Sequence, residues 1–156
     1  MIDESLRDLY QEVILDHGRS PRHFGSLPDA THEAHGHNPL CGDRVHLFLK
    51  LDADGLVENV AFEGKGCAIS IASASMMTDL ILGKTAGEAQ TLAAAFYRLA
   101  KGEAAEASNV AREDLGRLEV MSGVSQFPMR VKCATLAWHT FEASLEQGAE
   151  KDPGRA

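Results

Sequence analysis

The chain of 156 residues is poor in several things. Only three residues are cysteine, aromatics make up 6%, and there is a single tryptophan. Cys41, Cys67 and Cys133 are odd in number and far apart, which excludes a disulfide framework and leaves metal binding or thiol chemistry as their better use. Basic residues are scarce too. Lys and Arg total 15 against 23 Asp and Glu, a formal charge of −8, which argues against a nucleic-acid partner. No apolar run reaches the roughly 18–20 residues of a membrane span. Met1-Ile2-Asp3-Glu4-Ser5 has neither the basic nor the apolar stretch of a signal peptide. A cytoplasmic chain without membrane or nucleic-acid partners is expected.

What is present reads as one domain over residues 1–146, followed by a frayed tail over 147–156. Leu6, Leu9, Tyr10, Val13 and Ile14 recur at helical spacing, predicting a helix over 3–16 that His17-Gly18 ends. A short strand is expected over 31–36. Val45, Leu47, Leu49 and Leu51 then alternate with Arg44, His46 and Lys50, the pattern of a half-buried strand. Asp52-Ala53-Asp54-Gly55 supplies a hairpin turn, 56–63 returns, and Gly64-Lys65-Gly66 breaks the strand.

Residues 67–82 read as a helix of small residues, and Thr85-Ala86-Gly87-Glu88 as a capping box opening another. A short helix over 113–121 stops at Gly123. Pro128 opens the last helix, in which Val131, Ala134, Trp138, Phe141 and Leu145 share a face. The sum is an α+β domain: a small antiparallel sheet of about three strands with helices packed on one side.

Several short patterns are set aside. Gly64-Lys65-Gly66 lacks the spacing of a phosphate loop, and Asp52, Asp54 and Gly55 lack the bidentate Glu of a calcium loop. Ser70, Ser73 and Ser75 have no nucleophile elbow around them. His32, His35 and His37 fall one residue short of the zinc-protease spacing and are expected as solvated loop side chains.

The cysteines have more telling settings. Cys41 sits in a Pro-Leu-Cys-Gly-Asp turn, where a side chain is presented rather than packed. Cys67 follows Gly66 at a helix start, where orphan N–H groups stabilise a thiolate. Cys133 comes one turn after Arg130, whose guanidinium can help hold charge on that sulfur. Three thiolates leave a tetrahedral site one ligand short, and Asp43 is the natural fourth. Spacing alone leaves a shared site and separate buried thiols both open, because no compact C-x-x-C pair is present.

Three stretches carry a further signal: Asn38-Pro39-Leu40-Cys41-Gly42-Asp43-Arg44, Gly64-Lys65-Gly66-Cys67-Ala68-Ile69-Ser70, and Arg130-Val131-Lys132-Cys133-Ala134-Thr135-Leu136-Ala137-Trp138. In this order they strongly resemble the motifs of the IscU/NifU-like iron–sulfur assembly proteins, and the likeness covers nearly the whole chain. Lys132 stands where classical scaffolds carry His, and Phe127-Pro128-Met129-Arg130-Val131-Lys132 replaces their Leu-Pro-Pro-Val-Lys sequence. With an insertion-like region over 101–124, these features resemble the SufU branch.

The resemblance implies a SufE/NifU (IscU-like) fold with Zn2+ held by Cys41, Asp43, Cys67 and Cys133. It implies a sulfurtransferase in which Cys41 is the catalytic residue, with Arg130 as possible electrostatic support. The sulfur donor is then a PLP-dependent cysteine desulfurase of the SufS type, a histidine of which takes the place of Cys41 on zinc. Downstream iron–sulfur assembly machinery receives the sulfur. The alternatives are a scaffold holding a [2Fe–2S] cluster on the same ligands, and an adaptor that only regulates the desulfurase.

Overall fold

Alternation of apolar and polar residues builds the centre of the sheet. The computed structural model describes residues 4–39, 42–103 and 112–147. Three antiparallel strands, β1 (His32–Asn38), β2 (Asp43–Leu51) and β3 (Val57–Lys65), lie in the order β1-β2-β3. Val45, Leu47 and Leu49 of β2 and Val60 and Phe62 of β3 all turn to one face and are buried. The hairpin turn forms as expected, with the Asp52 carboxylate accepting from the N–H groups of Asp54 and Leu56, both at 2.9 Å.

Five α-helices complete the fold among the described residues: α1 (Glu4–Arg19), α2 (Ala68–Ile81), α3 (Ala86–Ala100), α4 (Arg112–Leu118) and α5 (Pro128–Gln147). α5 covers β1 and β2, and α2 lies against β3, so these two helices stand on one face of the sheet. Gly36 of β1 permits the close approach of α5. A Cβ there would run into the Thr140 hydroxyl and meet Leu136. The core formed between these layers contains Phe62, Met77, Leu80, Ala134, Trp138 and Phe141, and Trp138 stacks on Phe96 of α3 at 5.3 Å. Two serines of α2 tie it to neighbouring segments. Ser73 donates to the Ala134 carbonyl, and Ser75 accepts from the Arg22 N–H at 2.8 Å. The capping box of α3 is present, with Thr85 and Glu88 each accepting from the other's backbone.

The fold differs from expectation at four element ends. α1 continues through His17 and Gly18 to Arg19, because His17 is buried with Nδ1 2.7 Å from the Ser75 hydroxyl. β1 extends to Asn38. β3 runs through Gly64 to Lys65, with Gly64 paired to Val45, where a Cβ would come within 2.7 Å of the Arg44 carbonyl. α4 stops at Leu118, and a 3-10 segment (Glu119–Gln126) passes through Gly123, burying Val120, Met121 and Val124. Beyond Gln147 the tail lies outside the described residues, as does 104–111 within the insertion-like region. Among the described residues no helix is long and apolar enough to cross a membrane.

Burial, followed by the charge of Arg22, holds the His17 pKa below its ordinary value of 6.5. The unfolded chain therefore binds the proton more readily than the fold does. Stability contributed by neutral His17 is complete above about pH 6.5 and falls as the pH drops through that value. Denaturant midpoints measured from pH 7.5 to 5 should decline, and His17→Asn should flatten the part of the decline due to this residue.

Candidate metal centre

Three elements converge at one end of the sheet. Asp43 is the first residue of β2; it faces inward and is fully buried. Cys67 is the N-cap of α2, as its position after Gly66 predicts, and its sulfur accepts from the Ser70 N–H at 3.4 Å. The Asp43 carboxylate joins the two elements. One oxygen accepts from the Cys67 N–H at 3.0 Å, and the other lies 4.0 Å from the Cys67 sulfur.

Cys133 comes from a third element, α5. It lies more than a turn inside α5 and is fully buried, with its thiol donating to the Met129 carbonyl at 3.5 Å. Even so, one donor atom from each of Asp43, Cys67 and Cys133 falls within 4.8 Å of the others. Arms of about 2.3 Å to sulfur in a tetrahedral site imply sulfur–sulfur edges of roughly 3.8 Å, so small side-chain movements close this triangle on one ion. Two soft sulfurs and a hard carboxylate fit zinc, and iron accepts the same thiolates.

Arg130 stands beside this group, one turn before Cys133. Its hydrogen bond to the Cys133 sulfur, followed by the charge of the Cys67 sulfur, raises its pKa above the ordinary value. The guanidinium thus faces two sulfurs. Lys132 is exposed.

Cys41 lies outside the described residues. Its flanks are fixed, because Asn38 and Asp43 are register partners and the Gly42 N–H donates to the Asn38 carbonyl at 2.8 Å. The connection that carries Cys41 therefore starts and ends beside Asp43.

Gly66 ends β3 as expected, and it has a second task that the sequence did not show. Its φ of +151° favours glycine, and a Cβ would collide with the Asp43 carboxylate. The available signal was its place directly before Cys67. The histidines part company: His32 bonds to the Thr31 hydroxyl, and His35 and His37 point outward from β1 rather than lying in a loop.

Two sulfurs and a carboxylate gathered where a sheet end meets two helices form a candidate metal site in an α+β domain. The family model described as the NifU-like N terminal domain matches residues 9–134, and the chain belongs to that family. The zinc-dependent sulfurtransferase SufU of Bacillus subtilis (strain 168) is 45% identical over 150 residues, 96% of this chain and 95% of that one. The iron–sulfur cluster assembly scaffold protein IscU of Streptococcus pyogenes serotype M1 is 42% identical over 144 residues, 92% and 87% of the two chains. The crystal structure of FiSufU from Fervidobacterium islandicum AW-1 superposes with a TM-score of 0.78 at 34% identity, covering 89% of this chain and 98% of that one. The chain is therefore a member of an iron–sulfur assembly family that includes proteins named IscU and SufU.

Gly66→Ala should displace Asp43 and strain the backbone, at a cost of about 1–3 kcal/mol in denaturant unfolding. It should also weaken zinc retention against a chelator. Gly87→Ala, at an open helical position, is the control expected to cost no stability and to leave zinc retention unchanged.

Proposed function

We propose that this chain is a zinc-dependent sulfur-transfer protein that accepts persulfide sulfur from a PLP-dependent cysteine desulfurase of the SufS type onto Cys41. The observation that carries the reading is the convergence of Asp43, Cys67 and Cys133, with Cys41 two residues from Asp43. Kinship to the Bacillus subtilis sulfurtransferase over 96% of this chain supports it.

In this reading Cys41, Asp43, Cys67 and Cys133 would hold zinc, which when bound keeps the thiols deprotonated and ties the three elements together. The protein residues have distinct tasks. Asp43 holds the start of α2 through the Cys67 N–H, and Arg130 offsets the negative charge of the sulfurs. Cys41, on the β1–β2 connection, meets the partner. Its thiolate attacks the terminal sulfur of the desulfurase persulfide, the S–S bond breaks, and the partner's cysteine leaves as a thiolate. One persulfide is exchanged for another with no net change of oxidation state. The sulfur then passes to downstream iron–sulfur assembly machinery. Residues 1–146 act in this as one domain.

A second reading, a scaffold for a [2Fe–2S] cluster on the same ligands, is favoured by kinship to the Streptococcus pyogenes scaffold protein. Anaerobic purification separates the two. A colourless protein with one zinc supports sulfur transfer, and a brown one with visible absorption supports the scaffold.

Mass spectrometry after incubation with desulfurase and cysteine should find a one-sulfur adduct on Cys41, and Cys41→Ser should abolish it. An adduct on Cys67 or Cys133 instead would overturn the assignment. Removing the metal should lower the melting temperature by several degrees, because assembling the site is coupled to folding. An unchanged melting temperature after verified chelation would contradict this.

A further inference from the structure

The sheet face turned away from Asp43 carries a second gathering of ligands. Glu33 and His35 of β1 alternate with buried Ala34, and His46 of β2 alternates with buried Val45 and Leu47. All three therefore project from the outer face. His35 and His46 are register partners, and their rings stack with centroids 3.8 Å apart and planes inclined by 26°. Nε2 of His46 lies 2.9 Å from Oε1 of Glu33. One donor atom from each of the three side chains falls within 4.8 Å of the other two.

We propose that Glu33, His35 and His46 form a second metal site, for a divalent first-row transition ion such as Zn2+ or Ni2+. The inference is independent of the reading of the thiolate centre. Two imidazoles and a carboxylate are borderline-to-hard ligands, and they select for a different balance of metals than a thiolate set does. Arms of about 2.0–2.2 Å to nitrogen and oxygen give ligand edges of roughly 3.3 Å in a tetrahedral site. Nε2 of His46 and Oε1 of Glu33 need to part by only a few tenths of an ångström. The existing pair is thus close to the spacing of two ligands on one ion.

Three protein ligands leave a coordination position open, as in sites that exchange water or substrate. Here that position would face a groove of about 630 Å³, lined by both histidines together with Arg44 and Glu63. The site would hold its ion with a water or an anionic group completing the shell.

The two centres are separable. Asp43 and His46 are three residues apart on β2, roughly 10 Å at 3.2–3.4 Å per residue, and they face opposite sides of the sheet. A loss at one need not disturb the other.

The test uses the full chain with one equivalent of zinc already bound. Adding Ni2+ under native mass spectrometry and calorimetry should show a second equivalent. His35→Ala and His46→Ala should each weaken it roughly tenfold or more, and Cys67→Ser should leave it in place. In the unaltered protein, paramagnetic Ni2+ should broaden the ring signals of His35 and His46 before those of His23 and His139, a readout that needs no variant. Three results would each overturn the proposal: no second equivalent, a second equivalent that survives the His35→Ala/His46→Ala double variant, or broadening spread evenly over the histidines.

Discussion

The hydrogen bond from the Cys67 N–H to the buried Asp43 carboxylate is the contact around which the molecule is arranged. A carboxylate with no exposure is costly to bury unless its oxygens are satisfied. The first turn of α2 satisfies one oxygen with an orphan donor, and the other is turned toward the Cys67 sulfur. The same bond fixes where α2 leaves the sheet. Gly64 allows β3 to stay paired up to that point, and Gly66 allows the chain to turn there without a side chain in the way.

From that junction the rest follows by packing. α2 lies on β3, and α5 lies on β1 and β2 because Gly36 brings the helix close. Cys133 is carried to the junction from within α5, not from its end. Each of the two described sulfurs thus comes from a different helix. A site of this kind is sensitive to how well the whole core is packed, and rigid elements hold it more firmly than loops would.

Much of this was legible in the sequence, for physical reasons that differ from part to part. The alternation over 44–51 reports the two faces of β2 directly, and Thr85 with Glu88 reports the start of α3 through local bonding. The motifs around Cys41, Cys67 and Cys133 pointed to Asp43, Cys67 and Cys133, which the structure brings together, and the one-turn spacing pointed to Arg130 beside Cys133. What was not legible depends on partners distant in the chain. His17 does not end α1, because Ser75 of α2 holds it inside. Gly64 looked like a breaker because nothing local shows that the Arg44 carbonyl presses against it. Glu33 and His46 did not stand out beside His35, since only the β1–β2 register brings them together.

The complete burial of Cys133 has a consequence for access to its sulfur. A group presented on the surface of another protein meets no exposed sulfur there, because Cys133 lies within α5 with no accessible surface. Intrinsic reactivity is then secondary. The fold itself acts as a kinetic filter, holding this thiol back from bulky reagents before any difference in thiol chemistry is tested.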